Sequence, residues 1–295
     1  MIYSQGYLMS LGLAVTWDNP DITLEKVTGP LQPNAPPDPA KTVASHALKA
    51  DTEYDVLARV WNGSTAAPVV GLPVRFRFLS FGVGTQSQAI GDATTDLGVK
   101  GGPGCPAFAR VRWKTPATPG HYCIQALLDW FDDLNPANNL GQENTNVGTA
   151  QSPALFTFKL RNPREERQPF RFVADAYTLG EPGPCSRPER KRQKVERDSR
   201  WQKALDERRP PVAGRPETLI TPELPPRHLF GAHPLPEGWL VAIEPEAPVL
   251  AAGQEIDVEV AITPPADFSG TQTINVHAFD ALGLAGGVTL QVAKA

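Results

Sequence analysis

Side chains that carry oxygen are unusually dense between Asp129 and Glu143. Ca²⁺ takes about six to eight oxygen ligands from a bendable loop, so this segment is a candidate calcium site. The spacing does not match an EF-hand loop, and Asp and Asn also close tight turns by bonding their own backbone. We therefore expect a structural turn and no cofactor, with calcium as the alternative. The candidate ligands are Asp129, Asp132, Asp133, Asn135, Asn139 and Glu143.

A second candidate is the pair His121 and Cys123, which lie on one face of a predicted strand and offer two soft metal ligands. A closed zinc site needs about four ligands. No His-x-His or His-Glu-x-x-His motif supplies the others, because the histidines are widely spaced. We expect structural or surface roles for all of them: His46, His121, His228, His233 and His277.

Catalytic motifs are missing from the sequence, which contains no nucleophile elbow, P-loop, dinucleotide-binding glycine run or kinase signature. Gly82-Val83-Gly84 and Gly101-Gly102-Pro103-Gly104 fall between predicted strands with no helix after them, which indicates hairpin turns. Distant residues can still assemble a site. The sequence nevertheless predicts no catalytic residue and no enzyme.

The elements that position these residues are predicted to be β-strands. Proline (31) and glycine (25) are frequent and methionine (2) is rare, which is typical of short strands joined by turns. Within 74–78, apolar residues alternate with Arg75 and Arg77, so one face is expected in the core and the other in water. Residues 17–150 are expected to form an antiparallel sandwich that buries Phe76, Phe78, Trp113, Tyr122, Ile124 and Leu128.

Short motifs in this half carry a resemblance to a known family. They are Asn19-Pro20-Asp21-Ile22, Val60-Trp61-Asn62-Gly63, Pro119-Gly120-His121-Tyr122, and DWFDDLNPANN from Asp129 to Asn139. Over roughly 17–150 the chain resembles the bacterial cell-adhesion-related Ig-like domain CARDB, although a Pro-rich insertion at Thr28–Ala40 departs from its compact pattern. The resemblance implies a binding or spacer module rather than an enzyme.

Residues 154–175 alternate as two further strands, which either complete the first sandwich or cross to a second one. Residues 180–236 are rich in Pro and Arg, and the run Glu189–Arg209 predicts a short surface helix. Acidic residues are interleaved with its Lys and Arg, which argues against a nucleic-acid partner.

The C-terminal segment again alternates with a period of two, and it is expected to bury Val258, Val260, Val276 and Leu290. Its turns, PPADFSG and DALG, are similar to those of the NEW3-like Ig domains appended to bacterial enzymes. It has fewer strands than the usual sandwich of about seven, so strands from 165–222 are expected to complete it.

We therefore predict an all-β protein with two Ig-like antiparallel β-sandwich domains, at 1–162 and 237–295. A Pro/Arg-rich connector, 163–236, is predicted to contribute strands and one short helix.

The first residues, MIYSQGYLMSLGLAV, are predicted to be the first strand. They have no Lys or Arg before the apolar part and no small-residue cleavage site, so they do not match a secretory signal. No apolar run approaches the roughly 20 residues of a membrane span. The sequence predicts a cytoplasmic protein, with export by a non-classical route or within a particle as the alternative.

Free thiols are predicted at Cys105, Cys123 and Cys185.

These observations favour a non-catalytic protein-binding or structural module, part of a larger complex or particle, with a protein partner or self-assembly. One alternative is an adhesin or carbohydrate-binding module, which would expose tryptophans such as Trp17, Trp61, Trp130 or Trp239 on one open face. The other is an accessory subunit of a separately encoded enzyme.

Overall fold

The computed structural model describes residues 1–118, 121–149, 153–179 and 232–294. This part of the chain is almost entirely β, as predicted. The elements are α1 Gln5–Ser10, β1 Ile22–Lys26, β2 Thr42–Val43, β3 Glu53–Val60, β4 Val69–Ser80, β5 Gly82–Val83, β6 Ser87–Leu97, β7 Ala107–Lys114, β8 Tyr122–Leu128, β9 Leu140–Glu143, β10 Thr145–Thr149, β11 Ala154–Arg161, β12 Gln168–Pro169, β13 Arg171–Asp175, β14 Leu240–Glu244, β15 Val249–Leu250, β16 Glu255–Thr263, β17 Gly270–Asp280 and β18 Gly283–Lys294. Short 3₁₀ turns lie at Ser45–Ala47 and Pro136–Asn138.

The first sandwich packs the sheet β2-β1-β3-β7 against the sheet β6-β4-β8-β9. The predicted alternation is confirmed, because strand β4 sends Val74, Phe76 and Phe78 into the core while Arg75 is exposed. The ring of Phe78 lies 5.2 Å from that of Trp113, centroid to centroid. All six side chains predicted to lie inside this sandwich are buried: Phe76, Phe78, Trp113, Tyr122, Ile124 and Leu128.

The second sandwich is made of the sheets β10-β18-β17-β13 and β14-β16-β11-β5. Strand β11 pairs antiparallel with β16 along its whole length, and β10 pairs parallel with β18. Strands within the predicted N-terminal range 1–162 therefore bond to the C-terminal segment, and β12 and β13 from the predicted connector join them. The four residues predicted to be buried here are buried: Val258, Val260, Val276 and Leu290.

The two sandwiches share side chains where they meet. Leu79 and Cys123 lie on strands β4 and β8 of the first sandwich, and Phe81 follows β4 directly, but all three pack in the core of the second sandwich. Strand β5 also pairs parallel with β11, at Lys159 and Leu160. The junction is therefore a packed apolar contact.

The prediction that the first residues form a strand is wrong, because residues 5–10 form helix α1. Its buried residues are Gln5 and Met9, which lie four apart and therefore on one helical face. Met9 packs with Val15 and Phe279, while Gln5 Nε2 donates to the carbonyl oxygen of Gln142 at 2.6 Å. Tertiary contacts thus select a helix where apolar composition alone suggested a strand.

Two sequence predictions, the helix at Glu189–Arg209 and the free thiol at Cys185, lie outside the described residues. Cys105 and Cys123 are free thiols. None of the helices in the described ranges has the length and apolar character needed to cross a membrane.

Gly287 on β18 provides a test of the close packing at this junction. A Cβ atom at this position would lie 2.2 Å from Trp17 Nε1 and 2.6 Å from the Val276 carbonyl oxygen. Gly287→Ala is therefore expected to lower the free energy of unfolding by about 1–3 kcal/mol, as overpacking of a core usually does. The control is Gly29→Ala, since nothing lies within 4 Å of the added atom there. The urea midpoints of the two variants are compared. Equal midpoints would contradict the close packing around Gly287.

Candidate functional site

The Asp/Asn loop, residues 129–139, connects β8 to β9 at one end of the first sandwich. Hydrogen bonds of the protein itself organise it. Asp133 Oδ1 accepts from the Asn135 backbone N–H at 2.8 Å, and the Asn138 N–H donates to the Asn135 carbonyl at 3.3 Å. The backbone N–H of Ile2 donates to the Asn138 carbonyl at 3.1 Å and holds the base of the loop. These bonds account for the turn chemistry expected from the sequence.

The structure divides the candidate calcium ligands between two places. Asp129 forms an ion pair with Arg75 at the surface, Asp132 is exposed on the loop and Asn139 is buried at its end. Glu143 lies apart from them on β9, buried where the two sandwiches meet. Within the ranges that the structure describes, no group of three or more His, Cys, Asp or Glu side chains is placed to hold a metal ion.

His121 and Cys123 are packed side chains at the junction. The imidazole of His121 stacks on Phe81 with 4.1 Å between ring centroids. Burial lowers the pKa of His121 to about 4, so the ring is neutral at physiological pH. The Cys123 thiol is fully buried against the Asn144 side-chain oxygen, and burial raises its pKa. A thiol in this state is a poor nucleophile and a poor ligand.

Two apolar side chains project from the Asp/Asn loop. Phe131 is 91% exposed and Leu134 is 99% exposed. The ring of Trp130 lies 4.9 Å from that of Phe131, centroid to centroid. We call Trp130, Phe131 and Leu134 the loop tip. The sequence analysis named Trp130 as a candidate exposed tryptophan but missed Phe131 and Leu134, although three large apolar residues within a polar turn are a readable signal.

The tryptophans named for a sugar-binding face do not share one open surface. Trp17 and Trp239 are buried. Trp61 is half-buried, with the Arg59 guanidinium 5.3 Å from its ring centroid and its Nε1 donating to Asp21 Oδ1 at 3.1 Å. The carbohydrate-binding alternative predicted that these tryptophans are exposed, and this prediction is wrong for Trp17 and Trp239.

A buried polar cluster crosses the junction and contains a His–Asp pair. His277 Nε2 lies 2.9 Å from Asp175 Oδ2, and Trp17 Nε1 donates to His277 Nδ1 at 3.3 Å. Burial acts to raise the pKa of Asp175, but the hydrogen bonds from His277 and Asn275 outweigh it and hold that pKa below its usual value. A hydrolase triad places a hydroxyl at the second imidazole nitrogen, whereas here that nitrogen meets an indole. His277 is 0% and Asp175 1% exposed, so the pair lies wholly inside the protein.

A cleft of about 270 Å³, which we call the junction cleft, is lined by polar and apolar side chains. Its polar lining includes Asp18, Ser45, His46, Glu143, Thr145 and Gln291. Glu143 Oε2 accepts from the Asn19 backbone N–H at 2.6 Å, and Oε1 accepts from Ser45 Oγ at 3.1 Å. Burial, with the charge of Asp18 nearby, raises the pKa of Glu143 to about 8. This carboxyl group is therefore mostly protonated at neutral pH.

Comparison with known proteins finds only distant structural similarity. No protein-family model and no curated protein matches the sequence. WR4, an MSP family member of C. elegans, is 7% identical with a TM-score of 0.23, and the match covers 51% of this chain and 92% of that protein. A transglutaminase of red sea bream is 8% identical with a TM-score of 0.22, over 86% of this chain but only 30% of that protein. The collagen adhesin of S. aureus is 8% identical with a TM-score of 0.19, over 82% and 87%. Similarity this low carries no argument about activity or partners.

Proposed function

We propose that this chain is a non-catalytic protein-binding module whose docking surface is the loop tip. The observation that carries the proposal is the almost complete exposure of Phe131 and Leu134 on a loop held by the β-sandwich. Single exposed apolar residues are common on proteins. A cluster that includes two aromatic rings on a rigid scaffold is instead the composition of a binding hot spot.

The charges around the tip indicate the chemistry of the partner. Asp132 is exposed beside Phe131, and no ion pair to Asp132 or Asp133 occurs among the described residues. These carboxylates oppose insertion into an anionic lipid surface. They favour a protein pocket that is apolar at its base and basic at its rim, because complementary charge steers docking.

The resemblance to CARDB domains supports the same proposal. The stretch DWFDDLNPANN, the most specific part of the resemblance, contains the whole loop tip. Membership of that family is itself part of our proposal, as is the absence of catalysis. The carbohydrate alternative is not favoured, because two of its tryptophans are buried.

The test compares affinity purification from the native cells with wild-type chain and with the double variant Phe131→Ser, Leu134→Ser. A partner bound through the tip is expected to be lost from the variant. Its dissociation constant, measured with purified proteins, should rise by at least about 30-fold, since hot-spot truncations cost about 2 kcal/mol or more. The thermal midpoint should not change, because both side chains are in water.

The matched control is Val70→Ser, Leu155→Ser, which removes two apolar side chains that are each 74% exposed elsewhere on the surface. It should bind as the wild type does. A partner that binds the loop-tip variant and the wild type equally well would overturn the proposal, as would loss of binding in the control alone.

A further inference from the structure

Strand β14 lies at one edge of the second sandwich, and its outer side has no partner in the part of the chain that the structure describes. The strand, Leu240–Glu244, is the first of the sheet β14-β16-β11-β5 and pairs only with β16. No other described residue forms a hydrogen bond to its backbone. An edge strand presents a row of unpaired N–H and C=O groups to which a further extended chain can add.

The side chains of β14 lack the features that usually protect an edge from a further strand. Protected edges carry Lys, Pro or inward-pointing charges, but β14 begins with LVAI. On the outer face Leu240 is 68% exposed, and Ala242 is exposed beside it. On the inner face Val241 and Ile243 pack against the core of the second sandwich but are only half-buried. An added strand would therefore cover apolar surface on both faces.

The charges around this edge are almost all negative. Glu244 lies directly opposite Glu259 of β16, and both are exposed. Like charges in this position destabilise a sheet, and neither carboxylate forms an ion pair with any described residue. Glu237 and Glu246 flank the strand and are also exposed. Residues 232–294 contain eight Asp and Glu but one Lys and no Arg, so the cation that this edge lacks must come from a partner.

We propose that the free edge of β14 binds an extended segment of a partner protein, in which apolar residues alternate with Lys or Arg. Successive side chains of a strand point to opposite faces. One set would cover Val241 and Ile243, while the other would place cations beside Glu244 on the outer face. A second copy of this chain fits less well, because it would bring the carboxylates of both edges together without a cation. This surface is separate from the loop tip, which projects from the first sandwich.

The test uses the full chain and a synthetic peptide of about nine residues, a typical strand length, that alternates lysine and valine. Fluorescence anisotropy of the labelled peptide gives the dissociation constant, and NMR follows hydrogen exchange of the backbone amides in 240–244. At a peptide concentration about ten times the dissociation constant, exchange of the free-edge amides should slow about tenfold, since they are open only in the unbound fraction.

Two further peptides separate strand addition from charge attraction. A peptide that alternates glutamate and valine should not bind, because it repels the acidic edge. A lysine–valine peptide with methylated backbone nitrogens keeps its charge but cannot donate to β14, and it should not bind either. Equal binding of either peptide would overturn the proposal, as would binding of the first peptide without slower exchange in 240–244.

Matched variants locate the binding surface. Glu244→Lys should raise the dissociation constant at least about tenfold by like-charge repulsion, whereas Glu53→Lys, an exposed position on β3 with the same change in net charge, should not. The loop-tip variant Phe131→Ser, Leu134→Ser should bind the peptide as the wild type does, so the two proposals can fail separately. Equal weakening by Glu244→Lys and Glu53→Lys would overturn this one. So would protection of the β14 amides that grows with protein concentration without peptide, since a second copy would then be the occupant.

Discussion

Replacing Arg110 with alanine is expected to lower the free energy of unfolding by about 3–5 kcal/mol, because it leaves buried carboxylates without their cation. Arg110 Nη1 lies 2.8 Å from Glu25 Oε2 and 3.3 Å from Asp55 Oδ2. None of the three side chains is more than 8% exposed. Asp55 keeps a second partner in Arg112, at 2.9 Å, so most of the loss should come from Glu25. Urea denaturation measures the effect.

The matched control is Arg75→Ala, which breaks the ion pair with Asp129 at the surface. Its side chains are 47% and 50% exposed, and pairs in water contribute at most about 1 kcal/mol. If both variants lost the same free energy of unfolding, burial of the ion pair would not determine the effect of removing the arginine. Arg110 also donates through Nη2 to the carbonyl of Pro36 at 3.2 Å, so its loss should loosen the Pro-rich insertion Thr28–Ala40.

Glu143→Gln is expected to raise the free energy of unfolding at pH 8 by roughly 4 kcal/mol. The pKa of Glu143 is raised from 4.5 to about 8 in the folded chain. Between these values the unfolded chain has lost the proton and the folded chain keeps it. Wild-type stability therefore falls as pH rises through this window, by about 1.4 kcal/mol per pH unit. Glutamine has the shape of the protonated acid and does not titrate, so the variant should lack this slope.

The measurement is urea denaturation at pH 5, 6, 7 and 8 in a buffer that contains no amine. At pH 5 the variant and the wild type should differ little. Glu246→Gln, an exposed position, should keep the wild-type slope. Parallel pH profiles for wild type and Glu143→Gln would contradict the raised pKa.

Local patterning predicted the facing of strands well. Val74, Phe76 and Phe78 of β4 are buried because a strand alternates its side chains between two faces. The sequence did not decide which of the two sandwiches contains the strands within 154–175. A period of two identifies the buried face of a strand but not the strand that pairs with it. The pairing of β11 with β16 joins residues about a hundred positions apart, and no local signal encodes it.

The candidate site was less predictable than the fold. The sequence analysis treated Glu143 as a candidate calcium ligand of the acidic loop. In the structure it lies on β9 and is buried beside Asn19 and Ser45. Its raised pKa depends on desolvation by segments remote in sequence. Helix α1 was missed for a related reason, because its contact with Phe279 exists only after the C-terminal segment has packed.

The order in which the strands emerge during synthesis has a consequence for how the chain is made. Strand β11 leaves the ribosome roughly 100 residues before its partner β16, and β10 roughly 140 residues before β18. At about 5–20 residues per second the delay is about 5–30 s. During that time their backbone groups and the apolar face of Phe156 and Phe158 lack their final partners. Exposed strand edges of this kind attract other chains. The first sandwich can begin to form while the second is still being translated, so chaperone contact during synthesis should fall mainly on residues 145–161.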